Sequence, residues 1–245
     1  MKIRRLIIPM LIFGLVLGGC ANSTDNKNNS EKTKEQSKTT ANNKIKVDID
    51  KLNEQFTQPK SGEITATINV KDFGSIKVKF FKDVAPKAVE NFITHAKNGY
   101  YNGLTFHRIV NDFVIQGGDP KGDGTGGESI WNKPFEDEFP SIDNPIPFPY
   151  NGALAMANSG ANTNGSQFFI VNASYRKSVE DQMKKAGYPD EMIELYKKHG
   201  GTPHLFLAHT VFGQVYEGMD IVGKIMQSQV GGESKVVIES IDVSE

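Results

Sequence analysis

Cysteine is nearly missing from this 245-residue chain, which has one, Cys20. A single thiol excludes an intrachain disulfide framework. Charge of either sign is not in excess, since 28 Lys and Arg stand against 29 Asp and Glu for a formal net charge of −1. That balance gives no electrostatic basis for a nucleic-acid partner, and none is expected. Long apolar runs are missing too. The stretch from Leu6 to Leu17 falls short of the ~20 residues that carry a helix across a bilayer. His204 and His209 lie five apart with no acidic or cysteine companion at metal spacing, so neither a metal nor another cofactor is expected. No G-x-S-x-G elbow occurs either, and that excludes the common serine-hydrolase arrangement.

What is present begins with Lys2, Arg4 and Arg5 ahead of the apolar stretch, the charge pattern of an export signal. The stretch ends Leu17-Gly18-Gly19-Cys20, which resembles the lipobox of bacterial lipoproteins. That resemblance implies a signal peptide over residues 1–19, and lipidation of Cys20 as the new N-terminus. The lipid bilayer is then a partner, and stable anchoring follows from more than one acyl chain. From Ala21 to about Asn43 the composition is Asn, Ser, Thr, Lys, Glu and Gln, too polar to offset ordering entropy. Residues 20–62 are therefore expected to be a disordered tether. At about forty residues it would reach ~35 Å. The folded domain is expected over residues 63–245.

Within that domain, 64–70 and 75–81 alternate apolar and polar residues around Lys71-Asp72-Phe73-Gly74, the pattern of a hairpin. Pro86 opens a helix to Lys97, with Val89, Phe92, Ile93 and Ala96 on one face and Asn98-Gly99 as the stop. Gly122 to Gly127 lacks the Lys-Ser/Thr and the helix of a phosphate loop and reads as a chain of turns. Residues 134–150 hold five prolines and read as a stiff surface connection. Residues 179–186 and 191–199 are helical, closed by Gly200-Gly201. Thr210 to Tyr216 reads as a strand, Met219 to Gln227 as a helix, and Val236 to Val243 as a closing strand.

Two further blocks carry the chemistry. Phe106 to Asp119, with its core Phe-His-Arg-Ile-Val, is two short strands joined by Asn111-Asp112 and stopped by Gly117-Gly118. Ala155 to Ile170 runs a small-residue strand into a loop of Asn, Ser, Gly and Thr, then returns as a strand headed by Gln167 and two Phe. On its own, Arg108 is either a snorkelling strand cation or a functional group. Together with Thr210-Val211-Phe212-Gly213, the blocks resemble the cyclophilins, peptidyl-prolyl isomerases that bind cyclosporin. The likeness runs from about Glu63 to the end of the chain.

The resemblance implies a mostly β fold, a closed antiparallel barrel of about eight strands capped by two α-helices. Cyclophilins have a short loop where residues 174–202 stand, so this segment reads as a helical insertion. Arg108 is implied as the catalytic group. Phe113, Val114, Phe169 and Leu205 would form the proline cup, with His209 at its edge. Gln116, Ala157 and Asn158 would hold substrate backbone, and Gln167 would line an adjoining pocket. Two departures stand out. Val114 replaces the methionine usual in the family, and His204 stands where many members have tryptophan, with the usual Asp-Gly after it missing. Cyclosporin binding is expected to be weakened. The expected enzyme is a monomeric foldase for proline-containing segments of exported proteins, lipid-anchored at the outer face of a cell membrane, as on a Gram-positive surface. A lipoprotein that holds such segments without turnover is the alternative.

Overall fold

A computed structural model of the chain describes residues 49–141, 146–228 and 236–245. The expected signal peptide, Cys20 and the tether as far as residue 48 lie outside the described residues. The first hairpin pairs β1 (Thr65–Val70) with β2 (Gly74–Phe80), Val70 opposite Gly74. Its alternation is the cause of its placement: Ala66, Ile68 and Val70 are buried while Thr65, Thr67 and Asn69 are half-exposed. Asp72 turns the chain at φ 66°, a conformation its short polar side chain tolerates.

Helix α2 (Pro86–Lys97) buries Ala88, Val89, Phe92, Ile93 and Ala96. No side chain of its own first turn caps it. Glu138 does so from the proline-rich connection, accepting from the backbone N–H groups of Lys87 (3.1 Å) and Ala88 (2.9 Å). Then come β3 (Arg108–Val110), β4 (Phe113–Gly117), β5 (Ala153–Met156) and β6 (Phe168–Asn172). After helices α3 (Lys177–Lys185) and α4 (Asp190–His199) follow β7 (Val211–Glu217), α5 (Met219–Gln227) and β8 (Ile238–Ser244).

The eight strands form one antiparallel sheet in the order β3-β4-β6-β5-β7-β2-β1-β8. The expectation of a closed barrel is corrected: the sheet is open and curled, with β3 and β8 as its edges. The chain ahead of β3 meets β8 through a single bridge, Thr105 to Val237. There Phe106 N–H donates to Val236 (2.9 Å) and Ile238 N–H to Leu104 (2.8 Å). Because those groups turn toward β8, the first of the two strands expected in the Phe106–Asp119 block is a ladder strand only from Arg108.

Side-chain alternation makes two apolar layers from one sheet. Ile115, Leu154, Met156, Phe168 and Ile170 point inward, into a core shared with α2 and with Val222, Ile225 and Met226 of α5. Val114, Ala153, Ala155, Phe169 and Val171 point outward and join Val211 in a second cluster. Covered on both faces, β5 is buried at every position.

Five α-helices are present among the described residues: the two expected caps, the two expected in the insertion, and one more, α1. Three of them share a satellite core. The supposed tether contributes α1 (Ile49–Asn53) and a 3-10 turn, Glu54–Phe56. Folded structure thus begins ahead of residue 63. Leu52 and Gln55 are fully buried, and Phe56 stacks on His199 of α4 at 3.7 Å. The Gln55 amide donates to the carbonyl of Phe148 (2.7 Å) and accepts its N–H (2.9 Å). Leu52 packs with Phe148, Tyr150, Met183, Met192 and Tyr196. A few apolar residues in a polar stretch suffice once such a surface is there to receive them.

Candidate active site

The β3–β4 pairing sets Arg108 opposite Gln116, and the β4–β6 pairing sets Gln116 opposite Phe169. A relay of amides follows from that register. Exposed Arg108 donates through Nη1 to Gln116 Oε1 at 3.3 Å. Gln116 Nε2 donates to Gln167 Oε1 at 2.9 Å. Gln167 Nε2 in turn donates to the carbonyls of Gly124 (3.0 Å) and Gly126 (2.8 Å). Each amide thereby has one orientation that satisfies its neighbours. The Arg108 guanidinium lies 5.8 Å from the centroid of the Phe113 ring, within reach of a cation–π attraction.

Beside the relay is the outer apolar cluster. The structure brings Val114 and Phe169 into it, with Phe113, Ala157 and Leu205 packed against its rim. His209 meets Phe169 edge-on, centroids 5.2 Å apart, and its Nδ1 lies 3.1 Å from the Met156 carbonyl oxygen. That contact places the ring proton on Nδ1 as donor. Burial is the main cause that holds His209 below the usual histidine range. His204 stacks on Phe113 at 5.7 Å and 13°. Its pKa is lowered too, by burial and by the neighbouring His209.

Ala157 N–H donates to the Gln167 carbonyl (3.0 Å), so the backbone group it has left to offer a ligand is its carbonyl. The Asn158 side chain donates to the Ala208 carbonyl (3.0 Å) and faces Asp137 Oδ1 at 3.4 Å. Sequence reasoning missed Asp137. Its carboxylate also accepts from Asn162 N–H (2.8 Å) and from Asn164 Nδ2 (2.9 Å), which sets the shape of the 157–165 loop. The only local signal was an acidic residue inside a proline-rich connection.

Residues 124–127 of the glycine-rich stretch, read as a chain of turns, form a wall of a second hollow of about 180 Å³. Gln116, Ala157, Asn158 and Gln167 also line it. Glycine is required at Gly126 and Gly127. A Cβ there would sit 2.3 Å from Asp119 Oδ1 and 2.2 Å from Ser166 Oγ respectively. All ten of the sequence-named groove residues other than Arg108 thus line this face or border it, from two strands, β4 and β6, and from the segments 157–167 and 204–209 outside the strands.

A curled antiparallel sheet with an outward apolar cup, a cation at its rim and amides beside it defines a β protein built to take an extended, partly apolar peptide. Residues 65–243 match the family described as cyclophilin type peptidyl-prolyl cis-trans isomerase/CLD. A Staphylococcus epidermidis relative named as a peptidyl-prolyl cis-trans isomerase is 52% identical over 177 residues, 70% of this chain and 88% of its own. A Staphylococcus aureus relative of the same name is 49% identical over 199 residues, 79% of this chain and 97% of its own. Among solved structures, a Cryptosporidium parvum cyclophilin type peptidyl-prolyl cis-trans isomerase is similar with a TM-score of 0.58 at 28% identity. It covers 75% of this chain and 98% of that one. The same isomerase in the presence of the dipeptide Ala-Pro gives 0.57 at 28% identity, covering 74% and 99%. The chain belongs to the cyclophilin-type isomerases, and its activity is cis-trans isomerisation of peptidyl-prolyl bonds.

Proposed function

We propose that Arg108 is the catalytic group and that this isomerase acts, as a lipid-anchored monomer, on proline-containing segments of exported proteins at the outer face of the cell membrane. The observation that carries the catalytic part is the position of the guanidinium. It lies over Phe113 at the rim of the apolar cup, with one long hydrogen bond, to Gln116.

Rotation about a peptide bond faces a barrier of ~18–20 kcal/mol because amide conjugation is lost in the twisted state. In that state the prolyl nitrogen regains a lone pair and becomes an acceptor. A donor aimed at it stabilises the twisted state more than either planar state, which is what lowers a barrier. The remaining N–H groups of Arg108 suit that task. Phe113, Val114, Phe169 and Leu205 hold the proline ring, with His209 closing one edge. Gln116 keeps an Nε2 proton beyond the one given to Gln167, and that proton can meet a substrate carbonyl. The Ala157 carbonyl and Asn158 serve the residue before proline, and Gln167 with the 180 Å³ hollow takes a side chain further upstream.

Turnover of an Ala-Pro peptide by residues 44–245 tests the reading. Arg108→Ala is expected to lose about 100-fold in kcat/KM, about 3 kcal/mol, with the fold unchanged. Equal activity of the two proteins would remove Arg108 from the mechanism. The location rests on the lipobox-like Leu17-Gly18-Gly19-Cys20 and the polar stretch after it. Cys20→Ser is expected to abolish lipid labelling. A cleaved, lipid-labelled Ser variant in the membrane fraction would refute the anchor.

A further inference from the structure

The groove has two walls that meet at the Phe113–His204 stack, and one segment touches both. The β3–β4 turn, immediately before Phe113, carries Asp112. Its Oδ1 accepts the N–H of Ser174 at 2.5 Å, and its Oδ2 is ion-paired with Arg176. Those bonds, the Ser174 N–H foremost, hold Asp112 below the usual carboxylate range. On the other wall, immediately before His204, the Pro203 carbonyl accepts the hydroxyl of Tyr188 at 3.1 Å. Burial pushes Tyr188 up to about 12, so its hydroxyl stays a donor at any ordinary pH. Phe206, two residues past His204, is stacked on Phe148 (4.5 Å) and edge-on to Tyr188 (6.4 Å).

Ser174, Arg176 and Tyr188 all belong to the segment built on α3 and α4. It is well suited to transmit a distance. Its two ends are pinned together, Gly201 N–H donating to the Ala173 carbonyl at 2.8 Å. Its helices are packed through Met183, Met192, Ile193 and Tyr196 into the satellite core. Glu180 of α3, almost fully buried, is bonded to Lys177, Lys184 and Tyr175 and reaches Lys197 of α4 at 3.7 Å.

We propose that the α3–α4 segment is a strut that sets the spacing between the two walls of the proline groove, with Asp112, Arg176 and Tyr188 as positioning residues. It acts on the cup through Phe113 and His204, not on the reacting bond. Loss of the spacing weakens binding of the planar and the twisted proline alike. The signature is therefore a raised KM with kcat retained. A strut also holds only while both ends are attached. Once one end is free, freeing the other changes little, whereas two independent supports would give effects that multiply.

The experiment uses Arg176→Ala, whose side chain is 61% exposed, and Tyr188→Phe, which removes one hydroxyl and keeps the ring. Each is expected to raise KM for an Ala-Pro peptide by roughly 3- to 10-fold, the loss that follows from one hydrogen bond or ion pair. The double variant should rise no further than the worse single one, and Arg176→Lys should restore most of the loss. A readout independent of turnover is the His204 ring-proton NMR shift, which senses the Phe113 ring current and should move in both singles. If the unsubstituted enzyme shows no turnover the proposed site fails, and the His204 shift still decides the strut. Multiplying KM effects, or an unmoved KM and His204 shift in folded variants, would overturn it.

Discussion

At position 204 an imidazole lies flat on Phe113 where many cyclophilins offer the larger indole. The loss of roughly 50–80 Å² of apolar contact at ~25 cal/mol/Å² is ~1–2 kcal/mol for a bulky apolar ligand. Cyclosporin is accordingly expected to bind ~10- to 100-fold more weakly than to a Trp-bearing relative, and His204→Trp to recover most of the difference. An ordinary histidine would lose affinity between about pH 7 and pH 5.5. Burial and His209 lower the His204 pKa, so the charge forms, and affinity falls, further into acid, below about pH 6.5. Titrating both proteins with cyclosporin across that range checks both points. Identical curves would show that His204 does not face the ligand. Three residues on, Leu207 takes φ 59° and is 37% exposed. It stands where the family's Asp-Gly is missing, so a branched residue carries a conformation that glycine adopts without strain.

Helix α2 shows what an element takes from its neighbours. Pro86 fixes its start because the missing N–H has no intrahelical partner there. The next donors, on Lys87 and Ala88, depend on the Glu138 carboxylate. Burial pushes that carboxyl up in pKa in spite of those two bonds, so it holds its charge at neutral pH less firmly than an exposed glutamate. Glu138 also ties its own N–H to Thr210 Oγ1 (2.8 Å), at the start of β7. Glu138→Ala is expected to destabilise the domain by ~1–2 kcal/mol, the usual value of a helix N-cap. Glu138→Gln should cost about half as much, since one acceptor remains. Urea denaturation of the three proteins checks the order. An unchanged midpoint in the Ala variant would mean that water caps the helix equally well.

Across the whole molecule, all five histidines, at positions 95, 107, 199, 204 and 209, have lowered pKa values, with burial the largest cause in each. The sign follows from linkage. Below about pH 6.5 the unfolded chain takes up protons on histidines that the fold keeps neutral, so unfolding is favoured. Stability from this source is full above about pH 6.5 and is lost as the pH falls toward the folded values. The depressed carboxylates of Asp112 and Glu180 lose their contribution at still lower pH. The melting temperature is therefore expected to drop between pH 7 and pH 5.5, before most carboxylates titrate. His95, at 7% exposure, should contribute more than His204, which packs on Phe113 with one face and keeps much of its surface in solvent. A flat profile over that range would show that the histidines are as free to charge in the fold as in the unfolded chain.

Local chemistry determined a good deal by itself. The ranges of α2 and α5 follow from proline, glycine and a 3.6-residue apolar period, and the first hairpin follows from alternation around Asp72. The groove residues were named through the family resemblance that three blocks of the chain carry. Such signals act over a few residues, and what they could not reach was decided in three dimensions. Gln116 and Gln167, 51 positions apart, hold each other's amides. Gln55 finds Phe148 at a separation of 93, which turns residues read as tether into part of the fold. Whether the sheet closes depends on where the N–H groups before β3 point. The Phe113–His204 stack joins β4 to the 3-10 turn beyond α4. In each case the deciding partner is distant along the chain, and only the packed core brings it within a hydrogen bond's reach.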